Sequence, residues 1–163
     1  MRHSVPLRTL VVAVLIVLGL AHPAHADLTA FLGVSPTPDN RAARGFAGGL
    51  SMVVLGFEFE YSEILEDELE GLPSLKTWSG NVLLQTPVEI HGVQLYATTG
   101  AGAYRERLGE DTITHVDVNI GGGAKIRVKG PLRVRLDYRI LKLSGEPRYS
   151  PYQRFYAGAN LAF

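Results

Sequence analysis

Eight stretches of about ten residues, each alternating apolar and polar side chains with period two, run through this chain of 163 residues. They fall roughly at 27–34, 44–51, 54–63, 76–86, 93–104, 113–127, 131–142 and 153–163. Strict alternation places successive side chains on opposite faces of a strand, and about ten residues is the length a tilted strand needs to cross a bilayer. The connections alternate as well. Those at 35–43, 64–75, 105–112 and 143–152 are longer and polar, while those near Met52, at Pro87 to Gly92 and at Val128 to Gly130 are short. Long loops at one end and tight turns at the other fit an up-and-down barrel with both termini on the same side.

The charges decide which face is which. One register collects Leu55, Phe57, Phe59 and Tyr61; Trp78, Val82 and Leu84; Leu95 and Ala97; Val116, Val118 and Ile120; and Leu132, Val134, Leu136, Tyr138 and Ile140, with no charge among them. The opposite register holds Glu58, Glu60, Asn81, Gln85, Tyr96, His115, Asp117, Asn119, Lys125, Arg127, Arg133, Arg135, Asp137 and Arg139. In a soluble sheet the apolar register would face a core and the charges water. Here the apolar face recurs on nearly every strand, the strand number is even, and Tyr61, Trp78, Tyr138 and Phe163 lie toward strand ends as interfacial aromatics do. The charged register is therefore expected inside. A soluble sandwich or a lipocalin-like barrel is the competing fold, with apolar side chains turned inward around a ligand. It offers no reason for the terminal Phe163, and no lipocalin-like Gly-x-Trp stands near the first strand.

The two ends of the chain agree with a membrane barrel. Arg2 and Arg8 precede an apolar run from Thr9 to Ala21, and Ala24-His25-Ala26 has the small-x-small form of a cleavage site. A signal peptide over 1–26, cleaved after Ala26, leaves a barrel domain over 27–163 and implies export by the Sec pathway. The run is too short for a spanning helix, which needs roughly 20 residues. Cysteine is absent, so neither disulfides nor thiolate metal sites are available. Loss of Arg2 and Arg8 leaves slightly more acid than base, which argues against a nucleic-acid partner.

At the C-terminus, Phe155, Ala157, Ala159, Leu161 and Phe163 share the lipid register, while Arg154, Tyr156, Gly158 and Asn160 point inward. Tyr156, Gly158, Leu161 and Phe163 resemble the insertion signal of bacterial outer-membrane barrels. The whole of 27–163 resembles the small eight-stranded outer-membrane β-barrel family of the OmpA transmembrane-domain and OmpX type. That resemblance implies an all-β, eight-stranded antiparallel up-and-down transmembrane barrel in the outer membrane of a Gram-negative-type bacterium. It implies a monomer among outer-membrane lipid and lipopolysaccharide, folded by the barrel-assembly machinery. It specifies fold and place but not activity, and no wall-tethering domain is expected beyond Phe163.

Function follows from the interior. Eight strands enclose a lumen just wide enough for side chains, whereas water-filled porins need about sixteen. Strands three and seven lie across such a barrel from each other. Glu58 and Glu60 are thus expected to face Arg133, Arg135 and Arg139 across the interior, with Lys125 beside Arg135 and Asp137 completing an ion-pair network that closes the lumen. The expected role is structural or surface interaction; a narrow pore or small-solute conduit is the alternative.

Catalysis has thinner support. His91 falls in a turn, and His115 shares a register with Asp117, but no serine occupies a nucleophile motif, so no enzyme activity is expected. Glu63, Glu66, Asp67, Glu68 and Glu70 form an acidic loop without calcium-loop spacing, read as a solvated segment, so no metal is expected. Gly121-Gly122-Gly123 and Gly100-x-Gly102 lie inside strands, where they leave room for long lumenal side chains and bind no phosphate; no cofactor is expected.

Overall fold

The computed structural model describes residues 25–67 and 70–163. The signal segment expected over 1–26 lies outside the described residues except for its last two. Eight strands follow in order: β1 His25–Ser35, β2 Arg41–Ser51, β3 Leu55–Ile64, β4 Ser74–Gln85, β5 Val93–Leu108, β6 Asp111–Lys129, β7 Leu132–Leu143 and β8 Tyr152–Ala162. Each pairs antiparallel with its neighbour, and β8 returns to β1 to close the barrel. Closure leaves no free edge along the spanning part of the sheet, which suits a surrounding that offers the backbone no hydrogen bonds.

Alternation sets the two faces. Along β3, Phe57 and Phe59 are exposed outward while Glu58, Glu60 and Ser62 are buried inward. Along β7, Val134 and Leu136 face out while Arg135, Asp137 and Arg139 are fully buried. The outside is an apolar belt that includes Leu32, Phe46, Leu84, Leu95, Val118, Ile120 and Phe155, and the inside is rich in charge. This inverts the polarity of a soluble protein.

Two boundaries differ from the reading of the sequence. Residues 105–112 are not a loop, because β5 and β6 continue as a paired hairpin to the Leu108↔Asp111 rung. The chain reverses there in a two-residue turn with Gly109 at φ 60°, a backbone conformation that favours glycine. Their polar side chains hid a strand because both faces carry charge, Arg105 and Arg107 on the exposed side and the buried Glu106 on the other. Strand β2 also starts earlier, at Arg41, with Arg41 and Ala43 buried inside the barrel's outer end.

At the opposite end, His91 and Gly92 take positive φ values of 52° and 78° between the bridged residues Ile90 and Val93. That is a type I′-like reversal.

Candidate functional site

Among the described residues, the lumen is where charged side chains are gathered out of water. At its centre three guanidiniums, from Arg135, Arg139 and Arg154, meet three carboxylates, from Glu58, Glu60 and Asp137, all buried. Arg135 pairs with Glu58, its Nη2 lying 3.2 Å from Oε1, and with Asp137 at 3.3 Å. Arg139 Nη2 reaches Glu58 at 2.9 Å and Glu60 at 3.2 Å, while its Nε donates to Asp137 at 3.1 Å. Arg154 Nη2 lies 2.5 Å from Glu60, and its Nη1 donates to the Ser62 hydroxyl. Opposite charges therefore balance, as burial in low dielectric demands.

Aromatic rings complete the network. The Tyr96 hydroxyl donates to Asp137 at 2.5 Å and accepts from Arg135 Nε at 2.8 Å. The Arg135 guanidinium stands 4.8 Å from the Tyr96 ring centroid, and Arg154 lies 5.2 Å from that of Phe31 and 5.3 Å from that of Tyr156. A planar cation held over rings keeps attraction on faces that hydrogen bonds do not reach. The glycines of β6 make the space. A Cβ on Gly121 would meet Arg139 Cγ at 2.8 Å, and one on Gly123 would meet the Tyr96 hydroxyl at 2.6 Å.

Not every expected member joins this centre. Lys125 is a cross-strand neighbour of Arg135, yet its ammonium turns toward the mouth at the end where β1 begins and β8 ends, and pairs with Asp27 at 2.5 Å, where Ser51 also donates to Asp27 at 3.0 Å. Arg133 sits one lumenal position below Arg135, too low to reach Glu58, and pairs with Glu89 of the 86–92 turn at 3.2 Å. Asp27, Tyr96 and Arg154 enter as partners that the spacing of strands three and seven did not suggest. Arg154 had a legible signal in its inward register on β8, whereas the Lys125 to Asp27 pairing depends on barrel closure.

The outer end is different in kind. Ala43, Ile64, Leu75, Tyr104, Leu141, Leu143 and Tyr152 form an apolar cluster across the lumen above the charges. Arg41 caps it, donating to the carbonyls of Leu65 (3.3 Å) and Pro73 and lying 5.8 Å from the Tyr152 ring centroid.

The remaining candidates separate from one another. His115 is exposed, with its ring 6.4 Å from that of Tyr104, and Asp117 is buried with neither carboxylate oxygen hydrogen-bonded. Asp117 therefore does not orient the imidazole. In the acidic loop, Glu63 pairs with Arg44 and Lys76, Glu66 with Arg107, and Asp67 Oδ1 accepts from the Glu70 amide. Among the described residues no group of three or more His, Cys, Asp or Glu side chains converges as metal ligands. Glu68 lies outside them. Of the insertion-signal residues, Tyr156 is buried in the lumen, Gly158 packs against Phe31, and Leu161 and Phe163 are exposed. Asn160, between them, donates to Thr29 inside.

This arrangement has solved counterparts. The N-terminal β-barrel domain of Pseudomonas aeruginosa OprF superposes with a TM-score of 0.64 at 13% identity, over 85% of this chain and 97% of that one. Neisserial surface protein A gives 0.64 at 14% identity, over 86% and 96%. The chain has the fold of the small eight-stranded outer-membrane barrels. The outer membrane enzyme PagL shares it at a TM-score of 0.51 and 12% identity, over 83% and 98%. No protein-family model and no curated protein sequence matches the chain. The likeness is thus one of architecture, and one architecture carries several activities.

Proposed function

We propose that this chain is a monomeric outer-membrane barrel with a structural or surface-presenting role, its lumen closed to solutes. One observation carries the reading: an apolar exterior surrounds a buried interior rich in paired charges, the polarity a bilayer stabilises and water does not. The lumen is sealed twice, by the arginine and carboxylate centre and by the apolar cluster above it. A narrow pore would need a wet path through both. The exposed His115 has no hydrogen bond to Asp117 to orient it, which favours the structural reading over a catalytic one.

Biogenesis rests on the last strand. Tyr156, Gly158, Leu161 and Phe163 serve the assembly machinery as its signal, and β8 must pair with β1 to remove the sheet edges. The test combines membrane fractionation with heat-modifiable gel migration, followed by planar-bilayer recording. A membrane-bound, compact species that unfolds on heating and passes little steady current is the expected result. A large, stable native conductance replaces this reading with the pore. Phospholipase or deacylase turnover that disappears in His115→Ala replaces it with an enzyme.

A further inference from the structure

Just beyond the outer aromatic girdle, the lipid-facing side of the barrel carries a row of charges that the lumen and its closure do not explain. Phe46, Tyr61 and Trp78 stack side by side on β2, β3 and β4, with centroids 5.4 and 5.5 Å apart. Two residues farther out on each strand, and on β5, the rung reads Arg44, Glu63, Lys76, Arg105. Three cations face one anion. Glu63 is shared between Arg44 at 2.7 Å and Lys76 at 3.2 Å. Lys76 and Arg105 are direct cross-strand partners, a like-charge contact that costs stability unless an anion lies over it. Among the described residues Arg105 forms no ion pair, and its other cross-strand neighbour is Thr114, a further hydrogen-bond donor.

We propose that this row is a docking site for the phosphorylated headgroup of a lipid anchored in the outer leaflet. The inference rests on the outer-membrane reading above. Aromatic girdles settle at headgroup depth, so the rung immediately outside them lies where lipid phosphates lie. The lipid's acyl chains run down the apolar belt below while Lys76 and Arg105 bracket a phosphate with charge-assisted hydrogen bonds. Four adjacent strands span roughly 14 Å, enough for a headgroup bearing two phosphates. Position favours a lipid over a soluble anion, because the side chains project sideways from the barrel wall, away from its mouth. The far side of the wall is not equivalent: β7 and β8 present Ile140, Gln153 and a single Lys142 there.

Trp78 is the only tryptophan in the chain and stands directly beneath Lys76, so it reports on the lipid at this site. The barrel is refolded into phosphatidylcholine vesicles carrying brominated-acyl lipid A, either diphosphorylated or dephosphorylated, with EDTA present, and quenching of Trp78 is titrated. The diphosphorylated form should be enriched at Trp78 over the dephosphorylated one. The double variant Lys76→Ser/Arg105→Ser should lose about tenfold to thirtyfold of that preference, and Lys142→Ser should keep it. Equal quenching by both forms in the native protein overturns the site while leaving the membrane reading intact, provided the heat-modifiable form is present. So does a preference that survives the double variant. Failure of any brominated lipid to quench, with no heat-modifiable form, overturns both readings.

Discussion

The centre of the lumen and its outer end are filled by side chains of opposite chemistry on the same eight strands. In the centre, Arg135, Arg139 and Arg154 are held against Glu58, Glu60 and Asp137 by hydrogen bonds that leave each group several partners. At the outer end, Ile64, Leu75, Leu141 and Leu143 fill the same inward register with hydrocarbon. Each solution has a characteristic weakness. Ion pairs out of water fail when one partner is removed, since the other charge remains buried and uncompensated. An apolar cluster fails gradually, by the volume lost. The lumen thus combines a brittle, specific centre with a tolerant outer cap.

The sharpest way to break this contrast is Glu58→Ala. Glu58 bonds both Arg135 and Arg139, so its removal strands two guanidiniums, with an expected loss of about 3 to 5 kcal/mol in urea unfolding from lipid vesicles. Glu58→Gln should lie between native and Ala, because the amide oxygen still accepts from one arginine. A loss no greater than that of Asn81→Ala, whose side-chain hydrogen bonds run to the neutral Ser79 and Asn119, would mean that the centre is wet and its charges solvated.

Leu141→Ala comes next. Leu141 is 3% exposed within the cap, and its truncation should cost about 2 to 3 kcal/mol, the lower part of the range for buried leucines. The two plugs also make a joint prediction about current. Glu58→Ala/Glu60→Ala alone should raise planar-bilayer conductance only slightly, because the apolar cap remains. Adding Leu141→Ala and Leu143→Ala should raise it clearly. Full opening from the glutamate pair alone would show that the cap seals nothing.

The contrast also explains which parts were legible in the sequence. Alternation identified all eight strands, and on the last six it separated inside from outside over most of their length, because a charged lumen against an apolar exterior is a strong period-two signal; His115 and Arg127, placed inside by their register, are exposed near the strand ends. Where the lumen itself turns apolar, as at Leu75, Leu141 and Leu143, both faces read alike and the signal fades. The projecting β5–β6 hairpin was lost for the converse reason, both its faces being polar. Pairing was harder than facing. Opposition of strands three and seven follows from counting, and it brought Glu58 toward Arg135 and Arg139. The height of each rung depends on the stagger of the closed barrel, which local pattern does not encode. Arg133 and Lys125 accordingly fall to the mouth, to Glu89 and Asp27, while Arg154 rises to Glu60.

The mouth supplies the smallest effect and the control for burial. Glu89 lies in the 86–92 turn, bonded to Arg127 at 2.8 Å and Arg133 at 3.2 Å. The hydrogen bond from Arg127 is the largest influence on its carboxyl and, with both nearby positive charges, holds it below its ordinary value of 4.5 against a smaller opposing effect of burial. A carboxyl whose folded pKa is depressed contributes stability that is complete above the unfolded value and disappears as pH falls through the folded one. The stability difference between the native protein and Glu89→Gln should therefore be constant from pH 7 down to about 5.5 and shrink below about 4.5. Because Glu89 sits at the mouth, only partly buried and paired with the exposed Arg127, the difference should be small and should fall further at 1 M salt, where screening acts over roughly 3 Å. The Glu58→Gln difference should barely respond to the same salt, since its partners are buried. Equal salt sensitivity at Glu58 and Glu89 would place the central network in water and remove the distinction between the mouth and the plug.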